Sequence, residues 1–152
     1  MASVEGFEDL RIWQMARELC KEIYLHTEKK PWKTDSRFVQ QIRAAAGSVM
    51  DNIAEGFERD GNKEYIQFLY IAKGSCGEVR SQIIRASDVG FLASEDYIKL
   101  YNDCISLNKG ISAFIRRLKT SSVSGFKYLR TESSPLETLN LKLATRNLKL
   151  ES

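Results

Sequence analysis

The stretch that decides the fold runs from Phe38 to Val79, FVQQIRAAAGSVMDNIAEGFERDGNKEYIQFLYIAKGSCGEV. It reads as two amphipathic helices joined by a tight turn at Asp60-Gly61-Asn62. An α-helix advances roughly 100° per residue. With Ile42 as origin, Phe38, Ala45, Ala46, Val49, Ile53 and Phe57 fall within about 60° of it, one buried face. Gln40, Asp51, Glu55 and Glu58 take the opposite side. Large residues alternate with Ala45 and Ala46, which lets a neighbouring helix approach closely. The next helix repeats the period with Tyr65, Phe68, Ala72, Cys76, Val79, Ile83 and Ala86.

Working outward, helix 1 is expected from about Asp9, a plausible N-cap, to Glu28. Ile12, Trp13, Ala16, Leu19, Cys20, Ile23 and Thr27 share one face. Pro31 breaks it, because the residue before a proline is disfavoured in helix. Asp35 or Ser36 caps helix 2, which ends near Arg59. Asn62 is a ready N-cap for helix 3, and Gly90 offers a left-handed stop after Val89. Ser94 caps helix 4, with Glu95 and Asp96 near the positive dipole end. Its face is Tyr97, Leu100, Tyr101, Cys104, Leu107, Ile111, Ile115 and Leu118, ending near Thr120.

Four helices with short connections predict an all-α, antiparallel up-down-up-down four-helix bundle. The expected layout is an arm at 1–8, the bundle at 9–120 and a disordered or extended C-terminal tail at 121–152. That tail is rich in Ser and Thr, contains Pro135 and lacks helical period. Leu139, Leu141 and Leu143 alternate as a short strand would, but disorder is the expectation for a lone tail.

Bulk properties exclude several classes. At 152 residues and 43% hydrophobic, the chain has material for a real core. A net charge of +3 is too weak to argue a partner by itself. No run approaches the roughly 18 apolar residues of a membrane span, and MASVEGFEDL lacks the layout of a secretion signal. Cys20, Cys76 and Cys104 show no C-x-x-C spacing and fall on expected core faces, where thiols act as small hydrophobes. A reducing, cytoplasmic compartment is the default.

No catalytic residue, metal site or cofactor is expected. Asp51 and Glu55 lie one turn apart, but outward, and a carboxylate-bridged di-metal bundle needs inward Glu-x-x-His motifs. Arg43 or Arg59 is the natural salt-bridge partner. The single histidine, His26, reads as a satisfied edge residue. Gly74-Ser75-Cys76-Gly77 has the spacing of a G-x-x-G clamp loop but sits mid-helix, which removes that reading.

Phe7-Glu8-Asp9-Leu10, Trp13-Gln14, Gln41-Ile42-Arg43 and Ala44-Ala45 come in an order that resembles a known family. Asn52-Ile53-Ala54-Glu55-Gly56, Arg59, Glu64-Tyr65, Phe68-Leu69, Ala72-Lys73-Gly74-Ser75 and Glu78 continue it. The chain resembles the small four-helix-bundle proteins encoded in 23S rRNA intervening sequences, over residues 7–120. The resemblance implies a ring, typically a pentamer, and no catalytic residues. It also implies a fold similar to the accessory protein of diversity-generating retroelements, a basic ring that works with a reverse transcriptase and nucleic acid. Pro-Trp-Lys-Thr-Asp in the helix 1–2 loop and the long tail depart from the family pattern.

Two surface features are candidates for function. About 140° round helix 3 from its core face lies a second row, Ile66, Tyr70, Gly77 and Ile84, with Gly74 and Ser81 beside it. Burying the three large residues against a second copy would contribute roughly 1.5–3 kcal/mol each before association costs. The second feature is charge. No acid occurs between Asp103 and Glu132, whereas Lys109, Arg116, Arg117, Lys119, Lys127 and Arg130 do. The topology brings Arg59 and Lys63 to the same end, and ring symmetry would multiply the field for RNA or DNA. Simple dipole complementarity at a helix C-terminus also explains such residues. A protein scaffold acting through the helix 3 row or the tail is the competing class.

Overall fold

The computed structural model describes residues 3–121; the expected tail, with Lys127 and Arg130, lies outside the described residues. Four helices make the fold: α1 (Arg11–Thr27), α2 (Ser36–Glu58), α3 (Asn62–Asp88) and α4 (Ser94–Thr120). Single 3-10 turns at Phe7–Asp9 and Trp32–Thr34 precede α1 and α2. No strand occurs among the described residues. The arrangement is the antiparallel four-helix bundle expected.

The registers follow from side-chain contacts between neighbours. Arg43 Nε on α2 donates to Thr27 Oγ1 on α1 at 2.8 Å. The hydroxyls of Ser48 on α2 and Ser75 on α3 lie 2.8 Å apart. Cys76 Sγ on α3 donates to the Cys104 carbonyl on α4 at 3.4 Å. Carried round the bundle, these registers put Arg11 of α1 level with Arg59 of α2, Glu64 of α3 and Arg116 of α4, within a helical turn.

The core is the seam the period predicts. Ile12, Ala16, Leu19 and Ile23 of α1 meet Ile42, Ala45, Ala46, Val49, Ile53 and Phe57 of α2. Tyr65, Leu69, Ala72, Cys76, Val79 and Ile83 of α3 face Leu100, Cys104, Leu107, Ile111, Phe114, Ile115 and Leu118 of α4. Small residues set the helix spacing. A Cβ on Gly56 would lie 2.8 Å from both Phe68 Cβ and Tyr65 Cδ2, so only glycine lets α2 and α3 converge there.

Several details differ from expectation. Leu69, not Phe68, is fully buried; Phe68 turns toward the edge, where Arg59 lies 5.2 Å from its ring centroid. Cys20 is only half-buried. Phe114 and Gly110 join the α4 core. Asp9 does not cap α1; its carboxylate accepts the backbone N–H of Glu5 and Gly6 at 2.9 and 3.2 Å, closing the preceding 3-10 turn. Gly61, with φ 120°, occupies the cap of α3 in place of Asn62, and Ala93 that of α4 in place of Ser94. Both turns are places where backbone geometry overrides side-chain capping preference. Asp35 does cap α2, accepting from Phe38 N at 3.0 Å. Gly90 takes φ 78° after α3, with Phe91 N bonded back to the Ala86 carbonyl at 2.8 Å.

Trp32 is the largest departure. It lies in the loop between α1 and α2, yet is 1% exposed. Its ring centroid is 5.1 Å from Phe38 and 5.3 Å from Phe91. One aromatic cluster thus ties the α1–α2 loop to the α3–α4 loop and closes that end of the bundle. Trp32→Ala is expected to cost about 3–5 kcal/mol of unfolding free energy in a urea titration, with a lowered midpoint and an unchanged slope.

Candidate nucleic-acid interface

The end opposite Trp32 holds the candidate cations of α2, α3 and α4. Phe57 at the end of α2, Tyr65 at the start of α3 and Phe114 near the end of α4 meet edge to face there, with centroids 6.3 and 5.4 Å apart. This aromatic plug exists because α2 ends and α3 begins around Gly61, and because α4 runs parallel to α2. It brings Arg59, Lys63, Arg116, Arg117 and Lys119 to one end, as the topology predicts. Glu55, Glu58, Asp60 and Glu64 share that end, as do Glu5, Glu8 and Asp9 just before α1, so the field is mixed there and only the end of α4 is free of acid.

The five cations are not equivalent. Arg59 donates to Glu55 Oε1 at 2.8 Å, and that bond holds its guanidinium pKa above the ordinary value. This is the ion pair foreseen for Glu55, and it sets a carboxylate beside the Arg59 charge. Arg43, the other foreseen partner, goes instead to Glu28 Oε1 at 2.7 Å and pulls that carboxyl below its usual range. Lys119 Nζ donates to Tyr70 Oη at 2.7 Å and lies 5.1 Å from the Tyr70 ring centroid. Arg116 and Lys63 are exposed, and Arg117 is half-buried.

The second row of α3 turns away from the core, except at its first member. Ile66 is half-buried and packs against the core, whereas Tyr70 is 46% exposed and Ile84 39%. A Cβ on Gly74 or Gly77 would meet nothing within 4 Å, so neither glycine serves a close contact inside this chain. The Lys119–Tyr70 hydrogen bond joins this row to the basic end, which sequence spacing alone did not reveal.

Other candidate chemistry is quiet. Among the described residues no group of three His, Cys, Asp or Glu side chains can hold a metal ion. His26 Nε2 lies 3.9 Å from Glu22 Oε2 along α1, an edge contact. Burial pushes the Cys20 thiol up, with Asp51 adding to it. The Cys104 thiol is pushed up by its hydrogen bond with Cys76 and by burial. Among the described residues no helix is long and apolar enough to cross a membrane.

The family model of the 23S rRNA-intervening sequence protein matches residues 8–113. The chain belongs to that family. Among solved structures, it is similar to a protein of unknown function from the S23 ribosomal protein family of Bacteroides thetaiotaomicron VPI-5482. The two are 19% identical with a TM-score of 0.64, over 69% of this chain and 98% of that one. At that identity the likeness speaks to the fold alone. No curated protein matches the chain.

The family match spans Phe57, Tyr65 and the whole α3 row, and stops at residue 113, before Phe114, Arg116 and Arg117. The basic end of α4 is therefore argued from this chain's own residues. Thiol accessibility checks the placement of the cysteines. In a titration with an aromatic disulfide reagent, Cys20 should react slowly in the native protein, and Cys76 and Cys104 only after denaturant is added.

Proposed function

We propose that the chain is a non-enzymatic, self-assembling helical bundle that holds RNA at its basic end. The observation that carries this reading is the last two turns of α4. They present Arg116, Arg117 and Lys119 at the same end as Lys63, in a segment of α4 without a carboxylate after Asp103. Phosphate backbones respond to such arrays through release of condensed counterions. A dipole at a helix C-terminus favours cations but needs only one or two of them. The family description, an intervening sequence of 23S rRNA, supplies an RNA context.

Assembly is the second half of the proposal. Tyr70 and Ile84, with open Gly74 and Gly77 between them, form a row with room for a neighbouring helix. Copies packed through it would form a ring, a pentamer by the family resemblance. Each protomer's modest charge would then be repeated round an axis. That geometry parallels the basic ring of the retroelement accessory protein. Three free cysteines and the lack of an apolar spanning helix among the described residues fit a cytoplasmic setting. Support for a non-catalytic reading comes from the sealed thiols of Cys76 and Cys104 and from Glu55, which is spent on Arg59.

A protein-interaction scaffold is the second reading, favoured by exposed Leu25, Ile71 and Ile98, which lie outside the α3 row. Two measurements separate the readings. Sedimentation should give a multiple of the 17.4 kDa chain mass, reduced to one chain by Ile84→Glu. A titration with a labelled oligouridylate should show affinity that falls steeply between low and physiological salt. A single-chain species in the wild type removes the ring; absent or salt-indifferent binding removes phosphate recognition and leaves the scaffold.

A further inference from the structure

Two arginines at the basic end lack what every paired arginine of this fold has. Arg43 meets Thr27 and Glu28, and Arg59 meets Glu55. Arg11 and Arg117 are half-buried, yet neither forms a salt bridge among the described residues. The Nε of each is sealed from solvent without a hydrogen-bond acceptor there. A desolvated N–H of a charged group is costly to leave unmet, so such groups call for an explanation.

Helical period places both in one groove. Thr27 and Tyr24 of α1 face α2, where Arg43 meets both, so the half-buried row Arg11, Met15, Glu22 and His26 on the other flank faces α4. On α4, Lys119 faces Tyr70 of α3, so Arg117, with Gly110 and Ala113 a turn or two before it, lies on the α1 flank. The registers put Arg11 level with Arg116, one residue away. Period and register therefore place both arginines at one end of the α1–α4 seam, with Gly110 and Ala113 on the same flank of α4 as Arg117.

The acids nearest in sequence are engaged or distant. Asp9 accepts two backbone N–H groups. Glu8 folds its carboxylate back over Gly6, where a Cβ would collide with it. Glu18 is two turns along α1, and α4 has no acid after Asp103. Across the bundle Glu55 is held by Arg59, while Glu58, Asp60 and Glu64 sit on the α2–α3 side. The backbone under Arg117 is fixed, its carbonyl accepting from Thr120 Oγ1 and Ser121 N, each at 3.1 Å.

We infer that Arg11 and Arg117 form a two-guanidinium clamp for the phosphodiester groups of single-stranded RNA. The inference rests on the RNA-binding reading above and names the residues that carry it. Sealing the Nε edge pins each side chain and leaves the paired Nη groups as the recognition edge. A planar fork of this kind matches two phosphate oxygens, which a lysine ammonium does not. Arg116, exposed and unconstrained, contributes charge only.

The test uses the full chain, a labelled single-stranded oligouridylate, and anisotropy titrations at low and physiological salt. Replacing both clamp residues (Arg11→Gln with Arg117→Gln) should weaken binding about tenfold or more. The slope of log affinity against log salt should shrink by about 0.7 per arginine. The double Lys variant should keep the slope but lose most of that affinity. Arg116→Gln should shrink the salt slope by about 0.7 and cost less affinity than the double Gln variant. Arg117→Met should melt at or above the wild-type temperature, because a sealed, unmet N–H is replaced by apolar surface. Unchanged RNA affinity in the double Gln variant, with a loss in Arg116→Gln, overturns the clamp and leaves the RNA reading standing. A marked drop in melting temperature for Arg117→Met also overturns it, since the guanidinium is then structural. A wild-type chain that ignores the oligouridylate overturns the RNA reading and the clamp together.

Discussion

Close approach of α2 and α3 is the constraint on which the rest of the bundle depends. It is enforced where the two helices diverge from their shared turn, at Gly56, against which Tyr65 and Phe68 pack without leaving room for a methyl group. Ala45, Ala72 and the Ser48–Ser75 hydroxyl pair extend the same economy of volume along the seam. With those helices drawn together, Tyr65 reaches both Phe57 and Phe114, and α4 is drawn onto the same plug. The position of the cations is thus a packing result. Arg116, Arg117 and Lys119 lie level with α3's first turn because aromatic rings below them fix where α4 ends.

The four helices and their buried faces were legible because a period of 3.6 leaves a strong imprint over helices of this length. The faces of α1, α2 and α4 needed only additions or half-burial at their edges. In α3, Phe68 and Leu69 flank the seam on either side, and period alone does not say which one the neighbours will cover. Trp32 was invisible for a different reason: a single loop residue has no period, and its burial depends on Phe38 and Phe91 arriving from two other segments. Caps failed at Asp9, whose carboxylate closes the preceding 3-10 turn, at Asn62, where positive-φ Gly61 takes the cap position, and at Ser94, which lies inside α4 behind an extended Ala93.

The cationic end shows the same division between local and tertiary information. Adjacent Arg116 and Arg117 look interchangeable in sequence. One helical step separates them by about 100°, which puts the first in water and the second in a groove. Arg59 was counted among the contributing charges, yet its own neighbour Glu55 claims it. Arg11 gave no signal at all. Its distinction is an Nε sealed without an acceptor among the described residues, and that emerges only when the surrounding helices are in place. For α3, the outer row was legible as a pattern, but its link to Lys119 through Tyr70 was not.

The chain's two tryptophans sit at opposite ends of the bundle, Trp32 sealed among aromatics and Trp13 half-buried between Phe7 and Arg17. The protein therefore carries two built-in optical reporters with separate territories. Replacing either indole by phenylalanine leaves emission from one end alone. A change around Phe7 and Arg17 would be read by Trp13, while Trp32, sealed at the far end, would change its spectrum only on opening of the fold.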